Sequence, residues 1–285
     1  MSVLFTDTDC EMDYKTADEL KISVIGMPYM VLGKEHIYDY GRNTNIKEFY
    51  DEMRAGEIAT TSALNTEDYL NYFTPVFERD EDILYIHFSS ELSGTFNYMQ
   101  TAINILKEKY PERKITLFDT KNISIGAGIQ VIEAAKLHNN GASDEEVIKF
   151  LNDFTNKVAV YFYVDSLKYL KRGGRISASS AIVGTVLNIK PILTVTHEGK
   201  LEKFNAVPGT KKAVNFLFDK FNNLYDNDSK YSTYIIDADN KSVGDMLEAK
   251  IKDSGKDVNI VRLSVGPVVG AHCGPGTIGL IFVKK

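Results

Sequence analysis

The chain has 285 residues, 33 Lys plus Arg against 39 Asp plus Glu for a formal charge of −6, and 44% hydrophobic residues, which fits one large globular domain or two modest ones. The acidic balance offers no polycationic surface to a phosphate backbone, so sequence-independent nucleic-acid binding is not expected. Apolar runs such as Ile22 to Ile25 and Ile278 to Val283 fall far short of the ~20 residues that cross a bilayer, so no stable membrane insertion is expected either.

Met1 leads at once into the short apolar run Val3-Leu4-Phe5 and then Thr6-Asp7, with no basic region followed by a long apolar core, which predicts a cytoplasmic protein. Val3 to Phe5 is the first expected strand and Ile22 to Gly26 the second. Ile83 to Phe88 is apolar almost throughout, the pattern of a strand buried on both faces. Phe96, Met99, Ile103 and Leu106 recur at helical spacing, and Pro111 marks where that helix must have stopped. A strand over Ile115 to Phe118 precedes a helix carrying Ile125, Ile129, Ile132 and Leu137, which ends at Asn139-Asn140-Gly141. Ser143-Asp144-Glu145-Glu146 caps the next helix.

Short apolar runs alternating with amphipathic stretches predict an α/β fold with a mostly parallel sheet flanked by helices. Near Lys157 the character changes, which places an N-terminal domain over residues 1–157 and a C-terminal α/β domain over 158–285. In the second, strands are expected at Val158 to Val164, Ile192 to Thr196, Leu201 to Phe204, Tyr231 to Asp237, Val258 to Leu263 and Ile278 to Val283. Helices are expected at Lys211 to Leu224 and near Val243 to Ile251, and His197-Glu198-Gly199-Lys200 joins two strands as a hairpin. Hairpin-joined strands predict a mixed or antiparallel sheet.

Four segments carry candidate chemistry. Ser89-Ser90-Glu91-Leu92-Ser93-Gly94-Thr95 lies between the clearest strand and a helix beginning near Thr95 or Phe96. A helix N-terminus leaves backbone N–H groups unpaired and carries ~0.5 of a positive charge, which favours a carboxylate or phosphate there. Gly94 permits close approach and Ser93 adds a hydroxyl donor. The same hydroxyls equally fit a helix cap that binds nothing. Thr60-Thr61-Ser62 fits a turn or a cap, with Glu67 and Asp68 marking a helix from near Thr66. Gly270-Ala271-His272-Cys273-Gly274-Pro275-Gly276-Thr277 fits either a glycine-rich turn into the last strand or a backbone brought close to whatever His272 touches. Lys168-Tyr169-Leu170-Lys171-Arg172-Gly173-Gly174-Arg175 is a local cationic patch, either solvated surface or a contact for phosphate or an acidic partner.

Familiar signatures are missing. There is no phosphate-binding Gly-x-x-x-x-Gly-Lys loop, and Gly126-Ala127-Gly128 lacks the third glycine of a dinucleotide fingerprint. The five histidines show no metal-ligand spacing, and no cofactor is expected. Cys10 and Cys273, near opposite ends, are expected to stay reduced in a cytosolic protein. Ser93 is not in a Gly-x-Ser-x-Gly elbow, although a triad of Ser93, His272 and Asp119 remains open because triads are defined by geometry.

Taken in order, Thr6-Asp7-Thr8, Thr60-Thr61-Ser62, the Ser89 to Thr95 segment, Tyr169 to Ile176, Leu187 to Leu193 and His272 to Thr277 resemble the DegV family of bacterial fatty acid-binding proteins, nearly end to end. The resemblance implies a two-domain α/β fold with one long-chain fatty acid in a tunnel between the domains. It implies that Thr61, Ser62, Ser93, Gly94, Thr95, His272 and Gly274 surround the carboxylate, and that Arg172 and Arg175 meet a phosphate or a partner. It implies a carrier that presents the acid to a partner fatty acid kinase, which makes the acyl phosphate. The alternative from another class is a serine-dependent hydrolase of acyl esters or thioesters.

Burying about fourteen methylenes at ~0.8 kcal/mol each offers roughly 11 kcal/mol, less the cost of association. The head-group contacts therefore set orientation more than affinity. Three positions depart from the family pattern. Thr8 stands where a serine is usual, Ala63-Leu64 follows Ser62 where Gln-Pro is frequent, and the Asn205 to Gly209 segment lacks a Lys-x-Arg, so a second arginine expected for kinase docking is absent.

Overall fold

The computed structural model describes residues 2–177 and 188–285, so Leu187 of the Leu187 to Leu193 segment lies outside the described residues. The first part runs β1 (Val3–Asp7), α1 (Tyr14–Glu19), β2 (Ser23–Ile25), β3 (Pro28–Val31), β4 (Lys34–Ile37), α2 (Ile46–Ala55), β5 (Thr60–Thr61), α3 (Thr66–Phe77), β6 (Ile83–His87), α4 (Thr95–Lys109), β7 (Ile115–Asp119), α5 (Ile125–Asn139) and α6 (Asp144–Phe154). It continues through β8 (Val158–Tyr163), α7 (Lys168–Arg172), β9 (Ile189–Val195), β10 (Leu201–Pro208), α8 (Thr210–Leu224), β11 (Thr233–Asp237), α9 (Lys241–Lys252), β12 (Ile260–Ser264), α10 (Pro267–Cys273) and β13 (Ile278–Val283).

A four-stranded sheet has the order β2-β1-β6-β7, all parallel. The continuous apolar run of β6 puts it at the interior of that sheet, with every residue buried. Helix α4 follows β6 and ends just before Pro111 with Lys107 and Lys109 in its last turn, where they complement the helix dipole. Helices α3 and α6 each open with a reciprocal capping box, Asn65 with Asp68 and Ser143 with Glu146. A six-stranded sheet has the order β10-β9-β8-β13-β11-β12. It is mixed: β11 and β12 are parallel and the other neighbours antiparallel. All strands of the first sheet precede Lys157 and all of the second follow it.

A third sheet, β4-β3-β5, was not expected from the sequence. β4 is Lys34-Glu35-His36-Ile37 with all four residues exposed, so no apolar alternation marks it. Its hairpin turns on Leu32 and Gly33 at φ 53° and 71°, the left-handed pair that a two-residue turn of this hand requires. β10 also runs further than the expected Leu201 to Phe204, reaching Pro208 past an irregularity between Lys203 and Asn205. Among the described residues, no helix is long and apolar enough to cross a membrane.

Candidate functional site

Between the C-terminal edge of the parallel sheet and one face of the six-stranded sheet lies a cavity with about 160 Å³ open to the centre of a water molecule. Its wall is mainly apolar: Phe88 comes from the end of β6, Val160 and Phe162 from β8, Ile236 from β11 and Ile281 from β13. Thr61, Ser62, Ser93, Gly94, Arg175 and His272 line the same space. Segments as distant as β5, the β6–α4 connection, the loop after α7, and α10 thus meet at one place.

The polar groups form a linked set. The His272 Nε2 lies 2.8 Å from Thr61 Oγ1. Thr61 is presented by its pairing with Tyr29 of β3. His272 belongs to α10 and not to a glycine-rich turn. The glycines of this segment make room instead: a Cβ on Gly270 would stand 2.5 Å from the Tyr50 hydroxyl, and one on Gly274 2.2 Å from the Tyr169 ring. Gly173 abuts the imidazole, since a Cβ there would lie 2.1 Å from His272 Nδ1. Burial, reinforced by Arg175 and Arg172, pushes the His272 pKa down to about 3, so the ring is neutral at physiological pH. Arg175 joins the two sides, donating from Nε to the Leu92 carbonyl at 3.0 Å and from a terminal nitrogen to the Gly173 carbonyl.

At the start of α4 the cap residue is Gly94, where an added Cβ would meet nothing within 4 Å. The Ser93 hydroxyl accepts from the Thr95 N–H at 3.2 Å, leaving its own proton to donate into the cavity. The helix-cap role and a ligand-facing role therefore coexist in Ser93.

Two of the positions expected around the carboxylate, Thr95 and Gly274, stand elsewhere, and Arg172 is not part of the cavity lining. The Thr95 hydroxyl sits in the core, 2.9 Å from the Tyr69 hydroxyl and 3.4 Å from the Leu64 carbonyl. Gly274 caps the end of α10 at φ 79° against Tyr169. Arg172 stacks over the Tyr169 ring at 5.3 Å and donates to the Ala59 carbonyl at 3.4 Å. The Ser62 hydroxyl, although beside the cavity, donates to Glu35 at 2.9 Å. Ser93, His272 and Asp119 share no hydrogen bond: Asp119 accepts from Ser90 at 2.6 Å and Lys121 at 2.8 Å, while His272 pairs with Thr61. No catalytic triad is assembled among these three. Thr8 keeps the hydroxyl of the serine it replaces and accepts from the Met27 N–H at 2.9 Å.

Sequence reasoning named Asp7, at the end of β1, only within the Thr6-Asp7-Thr8 motif and missed the two acids that follow it, Asp9 and Glu11. Asp7, Asp9 and Glu11 are all buried. Asp7 accepts from the Tyr85 hydroxyl at 3.0 Å and from the Phe88 N–H at 3.3 Å. Glu11 accepts from the Ser124 hydroxyl and from the Gly266 N–H, tying the start of α5 to the start of α10. Burial raises the pKa of all three, that of Glu11 to about 8.

This has a measurable consequence. An acid whose folded pKa lies above its unfolded value keeps its proton in the fold after the unfolded chain has lost it, so stability falls as pH rises between the two, here from 4.5 to about 8 for Glu11. His272, held neutral, acts in the opposite sense, but only below its ordinary 6.5. From pH 6.5 upward the Glu11 contribution is therefore unopposed by His272, and it amounts to about 2 kcal/mol lost by pH 8. Glu11→Gln retains an acceptor for Gly266 and a donor for Ser124. Denaturant titrations at pH 6.5 and 8 should show a fall about 2 kcal/mol smaller for this variant than for the wild type, the remainder coming from Asp7 and Asp9, which burial shifts the same way; equal falls would clear Glu11 as a source.

The family described as "Uncharacterised protein, DegV family" matches residues 2–285. A DegV domain-containing protein of Clostridium perfringens is 33% identical over 281 residues, which cover 99% of this chain and 97% of that protein. A DegV family protein from Thermus thermophilus, described for its fatty acid binding, superposes with a TM-score of 0.86 at 28% identity over 99% of each chain. A fatty acid-binding DegV family protein from Streptococcus agalactiae gives 0.85 at 25% identity, covering 100% of this chain and 99% of that one. With the same architecture and a match that runs from end to end, the chain belongs to the DegV family.

Proposed function

We propose that this chain binds one long-chain fatty acid, with the tail in the apolar part of the cavity and the carboxylate between the start of α4 and His272. The observation that carries the reading is that a single cavity has an apolar wall and also holds Thr61, Ser93, Gly94, Arg175 and His272. Fatty acid binding by the Thermus and Streptococcus relatives supports it. The chemistry fits the ligand. Ser93 and Thr61 supply hydroxyls, the N-terminus of α4 supplies partial positive charge, and Arg175 supplies a full one, so a carboxylate taken out of water finds replacements for its lost hydration. A neutral His272 can only donate one hydrogen bond to a carboxylate, or hold Thr61 through Nε2, and adds no ion pair.

Ser93→Ala tests the head-group assignment. Loss of one donor to a carboxylate in a dry site costs about 1–3 kcal/mol, so titration calorimetry with palmitic acid should show binding weakened by roughly five- to 150-fold. Unchanged affinity would take Ser93 out of the site.

In this reading the chain is a carrier and not the catalyst. It presents the acid to a partner fatty acid kinase for acyl phosphate formation, and Arg172, held at the rim on Tyr169, meets the partner. ATP-dependent acyl phosphate formation by a fatty acid kinase should depend on this chain and fall for Arg172→Ala with lipid affinity retained. A kinase equally active without the chain would contradict the presentation step.

A further inference from the structure

The apolar wall of the cavity includes a carboxyl without a partner. Asp9, just beyond β1, lines the cavity and is only 6% exposed. Its backbone is engaged, the N–H donating to Asp7 Oδ1 at 3.0 Å and the carbonyl accepting from the Ser124 N–H at 2.8 Å. Among the described residues its side-chain oxygens make no hydrogen bond, and the residue lines the cavity. The positive group that acts on it, Arg175, is held by the Leu92 and Gly173 carbonyls, and its other charged neighbours, Asp7 and Glu11, are acids. A buried carboxyl so placed is costly unless something entering the cavity pairs with it.

Ser124 stands beside it. This residue also lines the cavity, and its hydroxyl is bonded to Glu11. A hydroxyl can donate once and accept twice, so one bond to Glu11 leaves it capacity for another. Burial and the neighbouring acids favour the protonated form of Asp9, which offers an O–H donor and a carbonyl acceptor. Asp9 and Ser124 together thus present donor and acceptor positions side by side in a wall that is otherwise mainly apolar.

We propose that Asp9 and Ser124 form a polar subsite that selects a fatty acid bearing a hydroxyl group on its chain. A hydroxyl both accepts and donates, and so satisfies the two residues at once. A keto oxygen can only accept, and a plain methylene leaves the carboxyl unpaired. This proposal rests on the fatty acid reading of the cavity and specifies the ligand class.

The test is titration of the delipidated protein with palmitic acid and with a set of hydroxypalmitic acids carrying the hydroxyl at successive positions along the chain. At least one positional isomer should bind tenfold or more tightly than palmitic acid. Asp9→Leu should lose that preference while binding palmitic acid at least as well, and Asp9→Asn, which keeps a donor, should retain part of it. Palmitic acid binding the wild-type chain as tightly as every hydroxy isomer would overturn the proposal, whether or not a variant folds. So would a preference that survives intact in a folded Asp9→Leu. If neither palmitic acid nor any hydroxy isomer binds, the fatty acid reading itself falls and the subsite with it; binding of palmitic acid alone separates the two failures.

Discussion

Val269→Phe should abolish high-affinity fatty acid binding while leaving the protein folded. Val269 lies on α10, one turn before His272, lines the cavity and is only partly covered by the protein, so a larger side chain grows into the open space and not into packed core. A phenyl ring there occupies length that the acyl chain needs next to its head group. If about four methylenes are displaced, the loss at ~0.8 kcal/mol each is about 3 kcal/mol, or roughly 200-fold in Kd. Filling a void does not cost stability when the walls stay in place, so the thermal midpoint should hold or rise. Calorimetry with palmitic acid and a melting curve on the same sample check both halves. A folded variant that binds as tightly as the wild type would place the tail elsewhere.

Gly128→Ala should be the most damaging small substitution for the fold. Gly128 sits on α5, and a Cβ there would lie 2.1 Å from the Glu11 carbonyl oxygen and 3.1 Å from that of Cys10. Both obstacles are backbone, so no rotamer change relieves them. The helix must move off the β1–α1 connection, disturbing the Asp9–Ser124 and Glu11–Ser124 contacts. A loss of about 3 kcal/mol or more is expected, with the midpoint of thermal unfolding lowered by roughly 6–12 °C. A midpoint unchanged from wild type would show that α5 has room for the added methyl group. The two glycines that look like a truncated dinucleotide fingerprint thus serve close packing: Gly126 is close-packed too, although against the side chains of Val160 and Asn122 and not against backbone.

What was legible in the sequence follows from how each element earns its stability. β6 and β13 are buried at every position, so their apolar runs stand out without help from tertiary context. Ser143 and Glu146 announce α6 because the capping box is a local device. The elements that were not legible depend on partners far away in the chain. β5 is two residues, Thr60 and Thr61, and exists because β3 pairs with it; without β3 the three hydroxyls resemble any turn. α10 hides among Gly266, Gly270 and Gly274, which read as loop residues. Their reason is the rings of Tyr38, Tyr50 and Tyr169, which occupy the places where side chains would stand.

The candidate site divides along the same line. Ser93, Gly94, Thr61 and His272 belong to short motifs whose order along the chain carried the family resemblance, and they line one cavity. Thr95 and Gly274 sit within the same motifs but serve the core and a helix end, a distinction that depends on which way each points. Asp9 and Glu11 gave no signal because acids after a strand are ordinary in loops; only the packing of α5 and α10 over them makes them buried.

Whether the cavity holds a fatty acid is answered by denaturing mass spectrometry of an organic extract, with an equal mass of unrelated protein from the same host as control. Near-stoichiometric fatty acid is expected from this chain and none above background from the control. An empty extract, still empty after the protein has been offered a panel of fatty acids and repurified, would contradict fatty acid binding.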